Sequence, residues 1–341
     1  MLSTWTETFY VILASIISFM LSLHLVRWWI HKAREIGLTG KDMNKPEEIQ
    51  IPESGGIWVG VAASFGLLVF IALQIYLSKY KEYNLELMAL ALMLFMSSFL
   101  GFLDDILGWK KGLKPWSKII YMAPLALPIV VIKAGYSIIT LPIIGPVNLG
   151  LLYPLVLVPI GILGAANAFN MLAGYNGLEA GQGILLMLFT LIYSWIKGLH
   201  PSLEASAIML AAILGFMIYN WYPAKVFPGN SFTHGLGAYY AAIVIMGNFE
   251  KFGIMLFTLY FIELALFLRG LKDGVYKENF GKVQSDGTIL PPYERVYSLT
   301  HLAIKALIRI RGYAREKDVT LFILSLQVII GVLSLVLIRY V

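Results

Sequence analysis

A chain of 341 residues that is 59% hydrophobic and only 13% charged, with a mean hydropathy of +0.76, is too apolar for a soluble enzyme, which carries roughly half apolar and a quarter charged residues. The composition also excludes disorder, and the absence of cysteine excludes a disulfide scaffold. The net charge of +6 then reads as loops on one membrane face and not as a nucleic-acid surface.

A helix needs about 20 mostly apolar residues to cross a bilayer. Ten stretches meet or approach this: 6–29, 55–77, 86–103, 116–133, 150–169, 178–196, 205–222, 232–247, 251–270 and 319–339. The first is a span and not a cleaved leader. It lacks a charged start and runs into Arg27, Trp28, Trp29 and His31 without a small-residue cleavage site. Pro124 and Pro128 fall inside the fourth, where neighbouring helices must satisfy the freed backbone groups. The eighth is short and glycine-rich. Twenty of the 26 Lys and Arg lie in or beside the odd-numbered connections, against five in the even ones. That asymmetry places the odd connections in the cytoplasm and the N-terminus outside. Residues 137–149 predict a small outer hairpin around Gly145-Pro146, and KVQSDGTIL around Asp286-Gly287 predicts another in the ninth connection, about 271–318. A helix follows over about 297–315. Leu299, Leu302, Ala303, Ala306, Leu307 and Ile310 share one face of it, and His301, Lys305 and Arg309 another. Such a helix either lies in the membrane interface or contacts a phosphorylated substrate. The expected fold is an all-α polytopic membrane protein, one integral domain over 1–341 with about ten transmembrane helices.

The chemistry resides in polar groups at the ends of spans assigned to the cytoplasm. Asp104 and Asp105 close the third span in GFLDDILGWKKGLK, followed by Lys110, Lys111 and Lys114. Adjacent carboxylates repel, so the pair either sits at a solvated boundary or faces a cation. NAFNMLAGYNGLEAGQG places Asn167, Asn170 and Asn176 with Glu179 and Gln182 among four glycines. Carboxamide oxygens suit a hard cation such as Mg²⁺, and glycine-rich backbone admits a phosphate, although helix packing also uses glycine and asparagine. NWYPAKVFPGNSFTHGLG adds Lys225, Asn230 and His234, and GKDMNKPEEIQIPESGG adds Lys41, Asp42, Asn44, Lys45 and Glu53. Together these residues suit Mg²⁺ and a diphosphate at a membrane surface. No P-loop, dinucleotide fingerprint, zinc motif or nucleophile elbow occurs.

In their order along the chain, GKDMNK with IPESGG, GFLDDILG, NMLAGYNGLEAGQ and NWYPAKVFPGN resemble the polyprenyl-phosphate N-acetylhexosamine-1-phosphate transferases. The resemblance is to the eukaryotic and archaeal branch, which transfers N-acetylglucosamine-1-phosphate from UDP-N-acetylglucosamine to dolichyl phosphate. It implies that Asp104 and Asp105 lie near the lipid phosphate and the metal, that Lys114 holds phosphate, and that Asn170 ligates Mg²⁺ with Asn167 beside it. It further implies that Asn176 contacts uridine, and that Lys41, Met43 and Glu53 close over the donor. The family's second metal ligand is usually an aspartate where this chain has Asn230, so one negative charge is lost and metal affinity without donor should be weaker. The basic cluster usual in the ninth connection is reduced to Arg295 and His301 as candidates for the donor pyrophosphate. The implied cofactor is Mg²⁺, with Mn²⁺ as a substitute. The implied partners are UDP-N-acetylglucosamine, dolichyl or polyprenyl phosphate and membrane lipids, with no nucleic acid, and a homodimer is an admissible assembly. An archaeal cell membrane is favoured over the endoplasmic reticulum, with the active site on the cytoplasmic face and tunicamycin as the expected inhibitor. The competing readings are a family member with another acceptor or sugar, such as phospho-N-acetylmuramoyl-pentapeptide transferase, and a polytopic transporter.

Overall fold

A computed structural model describes residues 2–77, 83–107, 123–141 and 145–337. The architecture is helical, with three two-stranded antiparallel ribbons among the described residues. In chain order the elements are α1 (Leu2–Glu35), β1 (Thr39–Lys41), β2 (Gln50–Pro52), α2 (Gly56–Leu77), α3 (Asn84–Ile106), α4 (Leu127–Val131), β3 (Ile138–Leu141), β4 (Gly145–Asn148), α5 (Val158–Met171), α6 (Leu178–Lys197), α7 (His200–Asn220), α8 (Gly229–Met246), α9 (Glu250–Leu256), α10 (Thr258–Lys272), β5 (Lys282–Val283), β6 (Ile289–Leu290), α11 (Leu299–Arg311) and α12 (Glu316–Leu337). A π-helical turn, Tyr153–Leu157, leads into α5.

Seven helical segments among the described residues are long and apolar enough to cross a membrane: α1, α2, α3, the Tyr153–Met171 segment, α6, α7 and α12. The pair α9–α10, bent by 59°, passes the same length and composition test when taken together, as a broken span or a re-entrant loop. The fourth stretch of the sequence reading, 116–133, is described only from residue 123, as a short 3₁₀ turn and α4. Phe65, Phe95, Phe99, Ile160, Trp195 and Leu333 are all exposed on these helices, which is the surface a lipid solvent requires. Trp28, Trp29 and Trp58 cluster with rings 5.3–6.1 Å apart at one end of the bundle, as tryptophans do at a membrane–water boundary.

Of the ten expected stretches, the eighth is the one whose composition is least lipid-like, and α8 is the centre of the bundle. Every residue from Ser231 to Ile245 is buried, with α2, α3, α5 and α7 packed around it. Its glycines permit this: a Cβ on Gly237 would lie 2.6 Å from the Ala165 carbonyl oxygen, and one on Gly235 would lie 2.2 Å from Ser98 Oγ. Because α8 faces protein on all sides, it needs small residues for close approach more than it needs apolarity.

Chain direction alternates so that one end of the bundle gathers the last turns of α1, α3, α5, α7 and α10 with the first turns of α2, α6, α8 and α12. The polar clusters converge there. The ribbon expected over 137–149 is present, with Ile138 opposite Asn148. The ninth-connection ribbon pairs Lys282 with Leu290, and Asp286 closes its turn by accepting from the backbone N–H and hydroxyl of Thr288 (3.0 and 2.7 Å). The following helix is shorter than the 297–315 read from sequence. Ser298 caps it by accepting from Thr300 N–H (3.3 Å), and Gly312, at φ 82°, ends it. Its inward face is Leu299, Ala303, Ile304 and Leu307, whereas Leu302 and Ile310 are exposed.

Candidate active site

The site is built around Asp105 at the end of α3. Residues 52–56 are stitched to the loop before α8: Phe227 N–H donates to Pro52 O (2.8 Å), and Gly55 and Gly56 N–H donate to Phe227 and Pro228 carbonyls (2.9 Å each). This brings Ser54 against Asp105, and its hydroxyl donates to Oδ2 at 2.8 Å. Asn230 N–H donates to Asp105 Oδ1 at 2.8 Å and Ser231 N–H to Oδ2 at 3.2 Å. Asp105 is therefore the N-cap of α8, supplied by another helix. It satisfies two otherwise orphaned N–H groups and places its charge at the positive end of the helix dipole. Only glycine fits at 229. Its φ is +71°, and a Cβ there would lie 2.3 Å from Asp105 Oδ2.

Asp104, one residue earlier, accepts from Asn230 Nδ2 at 2.9 Å. Asn170, one residue before the end of α5, accepts from Thr233 Oγ1 at 3.0 Å. Asp104, Asp105, Asn170 and Asn230 thus converge on the first turn of α8. Their donor set, two carboxylates and two carboxamide oxygens, is the hard-oxygen chemistry that suits Mg²⁺. Among the described residues no three His, Cys, Asp or Glu are grouped so as to hold a metal without such help. A metal held here would need the amides, and an anionic ligand of its own, to complete its coordination.

These residues open on a cleft of about 590 Å³. Its walls are the first connection (Lys41, Asp42, Met43, Glu53), Asp105, the α5–α6 turn (Asn170, Gly174, Tyr175, Glu179), the start of α8 (Gly229, Asn230, Thr233) and Phe280 from the ninth connection. The described lining carries four carboxylates against one lysine. Burial, and then the neighbouring Asp105, push the Glu53 carboxyl up to about 7. An anionic diphosphate could enter such a cleft only with cations.

The sequence-predicted residues divide into three groups. Lys41, Met43, Glu53, Asp105, Asn170 and Asn230 line the cleft, and Asp104 is tied to it through Asn230. Lys41 is exposed and pairs with Glu48 at 2.6 Å. Asn167, Asn176, Arg295 and His301 do not line it. Asn167 donates to Leu163 O one turn back (2.8 Å). Asn176 is buried, and its side chain donates to Asp42 Oδ2 (3.2 Å) and accepts from Ala224 N–H (2.7 Å). Arg295 is exposed and pairs with Asp273 at 3.1 Å. His301 is buried, Nε2 lying 2.8 Å from Glu278 O. Lys114 lies outside the described residues, as do Lys110 and Lys111. Ser54, Thr233 and Phe280 were not expected. Ser54 and Thr233 have no local signal, since each acts on a residue at least 51 positions away.

The ninth connection reaches the cleft through Phe280, whose ring lies where a Cβ on Gly174 would sit (2.8 Å). Asn279 holds it by donating to Met171 O (3.0 Å) and Ala173 O (2.8 Å), carbonyls at the end of α5. Lys277 donates to Met171 O (3.3 Å) and pairs with Glu263 in the interior of α10. A second, apolar groove of about 520 Å³ runs along the lipid-facing side between α5, α8 and the bent α9–α10 pair. Gly161, Gly164, Ala165 and Ala168 of α5 form its floor. A Cβ on Gly164 would meet nothing within 4 Å.

The pattern of glycosyl transferase family 4 matches residues 87–248, which span α3 to α8. A Saccharolobus solfataricus relative, named provisionally as a UDP-N-acetylglucosamine–dolichyl-phosphate N-acetylglucosaminephosphotransferase, is 35% identical over 96% of this chain and 96% of its own length. The chain belongs to glycosyl transferase family 4. The Dictyostelium discoideum relative, named for the same activity, is 28% identical and covers 65% of this transferase and 63% of its own length. A Streptococcus thermophilus phospho-N-acetylmuramoyl-pentapeptide-transferase is 29% identical over 74% of this chain and 77% of its own length. At 96% of the chain, the match to the archaeal relative extends through the ninth connection into α12, beyond the matched family pattern.

His301 of this family 4 transferase generates a pH prediction. Burial holds its imidazole down from 6.5 to about 4, so the folded chain keeps it neutral while the unfolded chain takes up a proton. Its contribution is complete above pH 6.5 and is lost as pH falls toward 4, reaching about 3 kcal/mol. Thermal unfolding from pH 7.5 to 4 should show wild type losing stability more steeply than His301→Gln. Parallel curves would show that His301 is not held neutral by the fold.

Proposed function

We propose that this protein transfers N-acetylglucosamine-1-phosphate from UDP-N-acetylglucosamine to a dolichyl or other polyprenyl phosphate, releasing UMP, with Mg²⁺ as cofactor. One observation carries the reading: a polar cleft and an apolar lipid-side groove share α5, Ala168 lining the groove and Asn170 the cleft. That juxtaposition suits a reaction between a water-soluble nucleotide and a lipid phosphate. The names of the archaeal and Dictyostelium relatives support the same substrates. The cleft end of the bundle is the one that the Lys/Arg count assigns to the cytoplasm, where UDP-sugars are available. An archaeal cell membrane agrees with the Saccharolobus relative.

The chemistry follows from charge. A lipid phosphomonoester, with a second pKa near 6, is already mostly dianionic at neutral pH. It attacks the β-phosphorus of the donor in line, a new phosphorus–oxygen bond forms to the lipid, and the bond to the bridging oxygen breaks to release UMP. No strong base is required, and repulsion between the two anions is the main barrier. Bound Mg²⁺ would supply charge neutralisation. Asp104, Asp105, Asn170 and Asn230 are the residues that would hold it, kept in place by Ser54, Thr233 and the α8 amides. Lys41 offers a cation on the donor side and Lys114 one for phosphate. Asp105, with both oxygens occupied as a helix cap, is better suited to orienting than to attacking phosphorus, which favours a single displacement over an aspartyl-phosphate route. Inversion at phosphorus is the expected stereochemistry. Phospho-N-acetylmuramoyl-pentapeptide transfer is the second reading, favoured by the Streptococcus relative.

UMP release by the purified protein should require UDP-N-acetylglucosamine, a polyprenyl phosphate and Mg²⁺ together, and Asp105→Asn should lower kcat by about 10²-fold or more. Release with a UDP-muramoyl-peptide donor alone would select the second reading, and no release from any UDP-sugar would refute the transferase. Gly164→Phe, at the open position of the groove, should raise KM for a long-chain acceptor about tenfold and leave that for a short-chain acceptor unchanged. Equal effects on both would remove the groove from lipid binding.

A further inference from the structure

The ribbon β1–β2 carries Lys41, Asp42 and Met43 into the cleft wall, and its tip, residues 44–49, turns back outside it. Two adjacent residues, Asn44 and Lys45, fasten the tip. Asn44 Nδ2 donates to Gly174 O at 2.8 Å. Lys45 Nζ lies 3.1 Å from Asp42 Oδ2, pairs with Glu316 in the first turn of α12, and sits 4.5 Å over the Tyr222 ring. The other oxygen of Glu316 accepts from Asn176 N–H (2.8 Å). Glu316 is 3% exposed and the Lys45 side chain 12%. Neither residue lines the cleft. This buried pair therefore joins four separate pieces of chain: the ribbon tip, the α5–α6 turn, the α7–α8 loop and the last helix.

We infer that the Lys45–Glu316 pair is a positioning latch for the nucleotide-sugar, which docks the β1–β2 tip on α12 and holds the Asp42–Met43 wall of the cleft in its binding position. The inference rests on the transferase reading of the cleft. Burial opposes the Lys45 charge, but Glu316 and then Asp42 outweigh it and hold its pKa above the usual lysine value. Lys45 thus keeps its proton at neutral pH and beyond. With the latch open, the short ribbon and the uncharged contacts of Asn44 with Gly174 and of Asp42 with Asn176 remain, and no ion pair ties the tip to α12. Donor binding must then order the wall, and affinity falls by that ordering cost. The acceptor groove and the Asp104–Asp105 cluster lie on other elements. The signature is therefore a loss of donor affinity with turnover preserved.

The test uses full-length protein in lipid nanodiscs, with UMP as the nucleotide probe and steady-state assays for both substrates. Variants are Lys45→Met, Glu316→Gln, the double variant and Lys45→Arg. The double variant removes both charges of the Lys45–Glu316 pair and leaves Asp42 with its amide partners, so it reports on the latch if either single variant fails to fold. The double variant should raise the UMP Kd and the UDP-sugar KM about tenfold. Its kcat and its KM for the lipid phosphate should stay within about twofold, and Lys45→Arg should restore donor affinity. Unchanged donor affinity in the double variant, or kcat and both KM values failing together without rescue by arginine, would overturn the latch and leave the transferase reading intact. A wild-type protein that binds no UMP would remove both.

Discussion

The arrangement depends on one buried carboxylate at the junction of two helices. Asp105 leaves α3 and accepts from the first amides of α8, and a carboxylate at a helix N-terminus is stabilised by both hydrogen bonding and the dipole. That contact fixes where α8 begins. Because α8 is enclosed by α2, α3, α5 and α7, it also fixes where Asn230 and Thr233 meet Asp104 and Asn170. The Asn230 amide donates to Asp104, where a second carboxylate would repel it.

Around this centre the bundle collects loops that cannot be apolar. The cleft lining is acidic, and Glu53 is pushed up to about 7, so its charge balance is completed by what binds. Lys45–Glu316 and Lys277–Glu263 are both ion pairs shielded from solvent that tie loops to helices. One secures the ribbon tip beside the cleft, and the other secures Asn279 and Phe280 against the end of α5. Breaking one partner of such a pair strands a buried charge and is strongly destabilising, so both pairs tie placement of the cleft walls to the fold.

The acidic pair, the asparagines and the glycine-rich turn were legible in sequence, because a membrane chain has few other uses for such residues in one place. What each does was less legible. Asn176 and His301 carry side chains suited to ligand binding, but Asp42 and Ala224 occupy the first and the Tyr297–Glu278 backbone surrounds the second. No local pattern distinguishes an amide used by the fold from one offered to a ligand. The same limit hid Ser54 and Thr233, whose partners are distant in the chain. The weak apolar signal of α8 reflected its burial in protein, where close approach matters more than hydropathy. The bend between α9 and α10, which shapes the groove, has no proline or glycine at Phe257 to announce it.

The central claim is that the Asp105-capped start of α8 is where a divalent cation and the donor diphosphate meet. Mn²⁺ titration of the purified protein, followed by electron paramagnetic resonance with and without UDP-N-acetylglucosamine, tests it directly. With two carboxylates and two amides, the site should bind Mn²⁺ weakly alone and at least about tenfold more tightly with donor present, and Asn230→Asp should narrow that gap by strengthening binding without donor. Equal Mn²⁺ affinity with and without donor, or a response untouched by Asn230→Asp, would contradict the account.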